Sequence, residues 1–117
     1  MAYKVHISAP AKKRLDEAVD YIVRDLAAPQ AAGKLGIAFG NLLDNLEAFP
    51  YMYPIDMRLQ SLSDKELRIA PVRGYRAFYF VDERLKTVFI VSFLHMRQSV
   101  QRHISSDFQQ DGESASQ

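Results

Sequence analysis

The sequence predicts an α+β domain: an N-terminal strand, an antiparallel helical hairpin packed on a small, mainly antiparallel sheet (β-α-α-β-β-β), and a short C-terminal helix. Three observations predict it. Apolar residues recur at spacings of three and four between Leu15 and Leu26, and again between Leu35 and Leu46, as on a helix with one buried stripe. β-Branched and aromatic residues dominate residues 67–81 and 87–95 on either side of a polar turn, a composition suited to a pleated, half-buried surface. The 117 residues, 48% hydrophobic and 25% charged, suffice for one core and one domain.

Taken in order, Tyr3, Val5 and Ile7 alternate with Lys4 and His6, giving a short strand with one wet face. His6 has no second metal-type ligand at i+2 and reads as a solvated strand residue. Ser8 offers an N-cap, with Pro10 in the first turn where a missing N–H costs nothing. The first helix buries Leu15, Ala18, Val19, Ile22 and Leu26, and turns Lys12, Lys13, Asp16, Asp20 and Arg24 outward. The run Lys12-Lys13-Arg14 sits beside Asp16 and Glu17 and reads as plain surface, phosphate contact being the alternative. Ala27-Ala28-Pro29 breaks this helix. A second, from about residue 30 to 48, buries Leu35, Ala38, Phe39, Leu42 and Leu46. So short a link implies an antiparallel hairpin over one sheet face. Gly33, Gly36 and Gly40 each weaken the second helix by about 1 kcal/mol, and Gly36 and Gly40 would permit close approach to the first. A phosphate-binding loop is the poorer reading, because no strand precedes Gly33 and Leu35, not Ser or Thr, follows Lys34.

Phe49-Pro50 closes the second helix and leads into an aromatic crossing at residues 51–54. Tyr51 and Tyr53 are expected to cover the sheet edge, base stacking being the alternative. Residues 61–65 read as a polar turn. The sheet then proceeds as an antiparallel meander, reversing at Arg73-Gly74 and at residues 82–86. Its central strands are apolar on both faces, so a second element should cover the far face in part. Residues 96–104 are expected to form the C-terminal helix. Residues 105–117 read as a disordered acidic tail, which leaves 1–104 as the domain.

Charge is unevenly spread. Residues 1–57 hold 6 Lys/Arg against 7 Asp/Glu, residues 58–103 hold 9 against 4, and residues 104–117 hold none against 3. The basic excess on the strand-rich half suits an anionic partner such as nucleic acid, or a sheet edge guarded by cations. The absence of cysteine excludes disulfides, thiolate nucleophiles and thiolate-bound metals, and fits a reducing compartment. The apolar runs fall far short of the ~20 residues that span a bilayer, and no apolar segment follows Lys4 as in a signal peptide. The expectation is a cytoplasmic protein without membrane contact.

Candidate functional residues cluster in residues 67–98: Arg68, Arg73, Arg76, His95 and Arg97. An imidazole can give or take a proton near neutrality, and guanidinium groups clamp phosphates in bidentate fashion.

Several local patterns accompany this order of elements. They are Tyr21-Ile22, Pro29-x-Ala31-Ala32, Leu46-x-x-Phe49-Pro50, Arg73-Gly74-Tyr75-Arg76-x-Phe78-Tyr79-x-Val81-Asp82, Val88-x-Ile90 and His95-x-Arg97-Gln98. Over residues 3–104 the chain resembles the RelE/ParE toxins of bacterial type II toxin–antitoxin systems. The resemblance implies a small cytoplasmic toxin, without cofactor or metal, held inactive by a cognate antitoxin whose C-terminal segment wraps around it. RelE-like members cleave mRNA in the ribosomal A site, and ParE-like members poison DNA gyrase. On the RelE-like pattern Arg76 and His95 would be catalytic, Arg76 against the scissile phosphate and His95 as acid or base. Arg68, Arg73 and Arg97 would bind phosphate. The chain departs from that pattern in carrying Leu67, Ile69 and Ala70 where the strand lysines stand, with Arg68 between them, and no tyrosine after Tyr79; His103 would be the substitute, an inert helix-surface histidine being the alternative. The leading expectation is ribosome-dependent mRNA cleavage. Alternatives are ParE-like gyrase inhibition and a non-toxic, antitoxin-binding member.

Overall fold

Ser8 makes the first junction of the fold. In a computed structural model, which describes residues 2–62, 64–98 and 107, its hydroxyl accepts from the Ala11 amide at 3.2 Å and donates to the Val91 carbonyl at 3.2 Å. One buried serine thus caps a helix and ties it to the sheet. The elements run β1 (Lys4–Ile7), α1 (Ala9–Arg24), α2 (Pro29–Ala48), a 3-10 helix (Met57–Leu62), β2 (Arg68–Val72), β3 (Tyr75–Asp82) and β4 (Thr87–His95). The four strands form one sheet in the order β1-β4-β3-β2, with β1 parallel to β4 and the remaining pairs antiparallel. The expected α+β arrangement of strand, helical hairpin and three-strand meander is therefore present.

The helical hairpin covers one face of the sheet. Ala11, Ala18 and Ile22 from α1 and Ala32, Leu35, Phe39, Leu42 and Leu46 from α2 pack on Tyr79, Val88, Ile90 and Phe93. The opposite face carries a smaller core of Leu59, Leu67, Phe78, Phe80, Val91 and Leu94. The 3-10 helix supplies Leu59, so the expected cover over the second face is found, and it occupies part of what was expected to be a polar turn. At the β2–β3 turn Arg73 and Gly74 have φ of 44° and 85°. Two left-handed residues in a two-residue loop match the twist of the strands they join.

β3 and β4 do not pair in one register. Asp82 to Tyr79 lie opposite Thr87 to Ile90, but Phe78 lies opposite Ser92 and Tyr75 opposite His95. Val91 is the extra residue of a β-bulge, and it shifts every later pair by one.

Three expectations need correction or lie beyond reach. Leu26 is not on the buried stripe: α1 ends at Arg24, the Leu26 amide bonds to the Tyr21 carbonyl at 3.2 Å, and Ala27 follows with a φ of 49°. That turn swings Leu26 outward, where it is 54% exposed. Gly36 and Gly40 do not serve close helix approach, since a Cβ built at either would meet nothing within 4 Å. The expected C-terminal helix lies mostly outside the described residues; of its span, Met96, Arg97 and Gln98 form a turn and bend.

Candidate functional site

The bulge decides which side chains meet. Tyr75, Ala77, Phe93 and His95 face the helical hairpin, whereas Arg76, Phe78 and Leu94 face the second core. Tyr75 stacks on Phe93 with centroids 5.0 Å apart and meets the His95 ring edge-on at 5.1 Å. On the other side the Arg76 guanidinium lies 5.7 Å over the Phe78 ring. The Arg76 and His95 side chains, expected to work as a pair, thus project from opposite faces of the sheet. Their contact is made through backbone: Arg76 Nη2 donates to the carbonyls of His95 at 3.3 Å, Met96 at 3.2 Å and Gln98 at 3.3 Å.

His95 opens into a cleft of about 720 Å³ between α1 and the end of the sheet. Arg14, Glu17, Ala18, Tyr21 and Leu26 form one wall, and Tyr75, Phe93, His95, Arg97 and Gln98 the other. The Arg97 amide donates to His95 Nδ1 at 3.1 Å, so the compatible neutral tautomer carries its proton on Nε2 and turns that donor away from the turn. The His95 amide donates to Gln98 Oε1 at 2.7 Å, which locks the same turn. The cleft therefore combines aromatic rings, an imidazole donor and two guanidinium groups, those of Arg14 and Arg97, with the Glu17 carboxylate, a mixture suited to recognising a polar partner with apolar anchors.

The other candidates lie elsewhere. Arg68 donates to the carbonyls of Tyr53 at 2.7 Å and Tyr51 at 3.3 Å, with its guanidinium 5.1 Å over the Tyr51 ring. It fastens the aromatic crossing to the sheet edge. Arg73 sits in the β2–β3 turn, exposed, beside a shallow groove shared with Lys34, Ile37 and Asn41 of α2. Of the five candidates, His95 and Arg97 line one cleft together. Tyr53 packs edge-on against Tyr79 at 6.4 Å, and Tyr51 donates to Glu83, so both tyrosines cover structure. His6 is exposed and edge-on to Phe89 at 5.5 Å. His103 lies outside the described residues.

Sequence reasoning missed Arg14 and Asp107. Arg14 Nε and Nη2 donate to the Asp107 carboxylate at 2.5 and 2.9 Å, and Ser92 Oγ donates to the same group at 2.5 Å. Asp107 is 4% exposed, although it falls in the stretch expected to be a tail. Arg14 lies three residues after buried Ala11 and four before buried Ala18, a position that the helical period marks as inward-facing. Among the described residues no three His, Asp or Glu side chains converge to hold a metal ion, and no helix is long and apolar enough to cross a membrane.

Residues 5–100 match the family model described as the ParE toxin of type II toxin–antitoxin systems, parDE. Comparison with curated proteins finds no match. Among solved structures, the RelBE2 toxin–antitoxin complex of Mycobacterium tuberculosis is similar with a TM-score of 0.57 and 18% identity, over 84% of this chain and 95% of that one. The archaeal RelE–RelB complex of Pyrococcus horikoshii OT3 gives 0.55 and 21%, over 85% and 100%. A mutant of the E. coli toxin RelE in the free state gives 0.56 and 17%, over 94% and 98%. At these identities the likeness to the solved structures is one of fold.

Proposed function

We propose that this chain, which belongs to the ParE toxin family of type II toxin–antitoxin systems, arrests growth as a non-nucleolytic toxin that engages its target through the His95–Arg97 cleft. The target class is DNA gyrase, as for ParE-like members, and a cognate antitoxin neutralises the chain in the cytoplasm. One observation carries this reading in preference to mRNA cleavage: Arg76 and His95 project from opposite faces of the sheet. Transfer of a ribose 2′-oxygen to phosphate needs the base, the acid and the charge-stabilising cation around one phosphate, within hydrogen-bond reach. Here Nη2 of the guanidinium donates to three backbone carbonyls on one side of the sheet while the imidazole opens into the cleft on the other. The cleft instead offers rigid aromatic contact area, a His95 Nε2 donor and the exposed Arg97, which is how a surface recognises a folded partner.

The test is a supercoiling assay with purified chain and gyrase, run beside transcript mapping after brief induction in cells. Stalled supercoiling with intact transcripts is expected, and His95→Ala and Arg97→Ala should each relieve growth arrest without changing the circular dichroism spectrum. Cleaved transcripts with undisturbed supercoiling would reverse the reading in favour of ribosome-dependent cleavage.

A further inference from the structure

Arg76 turns inward, across the end of the sheet. Its Nη2 lies within 3.3 Å of three carbonyl oxygens, those of His95, Met96 and Gln98. Three carbonyls gathered on one spot repel one another unless a cation sits among them, and a charged donor satisfies them more strongly than a neutral one. Residues 95–98 are also held by Met96 N to the Gly74 carbonyl of the neighbouring turn at 3.1 Å, Gln98 N to the His95 carbonyl at 3.0 Å, Arg97 N to His95 Nδ1 at 3.1 Å and His95 N to Gln98 Oε1 at 2.7 Å. The guanidinium lies over the Phe78 ring, and Arg76 Nε is buried without a hydrogen-bond partner among the described residues, a cost that the carbonyl bonds of Nη2 must offset. On the far side of the same turn, His95, Arg97 and Gln98 line the cleft.

We propose that Arg76 is a positioning residue: from the opposite face of the sheet it holds the 95–98 turn in the one conformation that presents His95 and Arg97 to the target. Its functional half rests on the cleft reading above; its structural half does not. A guanidinium that gripped the target directly in a bidentate pair would need its planar fork, whereas a carbonyl cluster can be met by an ammonium with three rotatable donors. Lysine therefore separates the two roles.

The 117-residue chain and its Arg76→Ala and Arg76→Lys variants are compared by amide hydrogen exchange and by growth arrest on induction. In Arg76→Ala, exchange at Met96, Arg97 and Gln98 should rise about tenfold, as for loss of a charge-assisted hydrogen bond. Amides within β3 and β4 should keep their protection, and arrest should be lost. Arg76→Lys should restore both the turn and the arrest. The proposal is overturned if Arg76→Ala abolishes arrest with the turn unchanged, or loosens the turn with arrest intact, or alters neither. It is equally overturned if lysine restores the turn but not the arrest. Should Arg76→Ala fail to fold, seen as lost protection throughout β3 and β4, the lysine variant decides by the same two readouts. Retained arrest in His95→Ala and Arg97→Ala would instead sink the cleft reading, and leaves the exchange result to judge the structural half by itself.

Discussion

Glu83 accepts from three donors at once, the Lys86 ammonium and the hydroxyls of Tyr51 and Tyr3. The β3–β4 turn is thereby tied to the first strand and to the aromatic crossing. Lys86 foremost, then Tyr51 and Tyr3, pull the carboxyl down to about 2, while the Tyr51 hydroxyl, chiefly because it donates to Glu83, is pushed up to about 12. A depressed carboxyl stabilises the fold above its ordinary value of about 4.3 and ceases to do so as pH falls through about 2. A raised phenol stabilises the fold below about 10, and that contribution fades as pH rises through about 12. The melting temperature of Glu83→Gln should therefore lie below that of the parent at pH 7, and the two should converge as pH falls from about 4 to about 2. A gap that stays constant over that window would mean the tie is absent in solution. Legibility at this scale was partial. Arg76 and His95 could be picked out by type, but their directions depend on Val91. Continued without the bulge, the register that pairs Asp82 with Thr87 would set Arg76 opposite Phe93, on the same face as His95. One unpaired residue reverses that geometry. Ile90 and Val91 suit a regular buried strand, and polar Ser92, although out of place in such a run, does not by itself specify a bulge.

Helix α2 shows what a periodic pattern reveals and what it hides. The stripe Leu35, Phe39, Leu42 and Leu46 is buried as the spacing of three and four requires, and Pro29 opens the helix at its first turn. The same pattern is silent about the outer face, where the glycines invited a packing role they do not have. Gly36 is exposed, helical and free of neighbours within 4 Å of a built Cβ, so its cost is chiefly backbone entropy. Gly36→Ala should raise unfolding free energy by about 0.5–1 kcal/mol. Gly74→Ala also meets no neighbour, yet its φ of 85° forces an L side chain into the left-handed region, and stability should fall by about 1 kcal/mol or more. Urea titration of both variants checks the opposite signs; a loss at Gly36 would reveal that the outer face is packed against something. The helix-end error at Leu26 has a different origin. Apolar spacing carries on past Arg24, but the left-handed backbone at Ala27 redirects the chain, and an alanine gives no warning of positive φ.

Across the whole molecule, two hydrophobic cores share one sheet. β3 contributes Ala77 and Tyr79 to the helical side and Phe78 and Phe80 to the other, and β4 divides in the same way between Ile90 and Phe93, and Val91 and Leu94. Neither core can be lost without stripping one face from the strands that form the other's wall. Among the described residues the cores are unequal in cover, two long helices against a single 3-10 helix. If the sheet couples them, damage on either side should be felt by the whole chain. Leu46 is fully buried on the helical side and Leu59 is 2% exposed on the other. Leu46→Ala and Leu59→Ala should each cost about 2–5 kcal/mol, and each should shift a single unfolding transition that far-ultraviolet circular dichroism and tyrosine fluorescence report alike. If Leu59→Ala instead splits the transition, with tyrosine signal and helix signal separating, the second core is an appendage that melts alone. That outcome would also bear on the cleft, because Leu94, beside Arg76 and one residue before His95, belongs to the second core. A site whose turn is pinned from that side can be no more rigid than the core that backs it, which is why coupling between the cores is required if His95 and Arg97 are to be held ready for a partner.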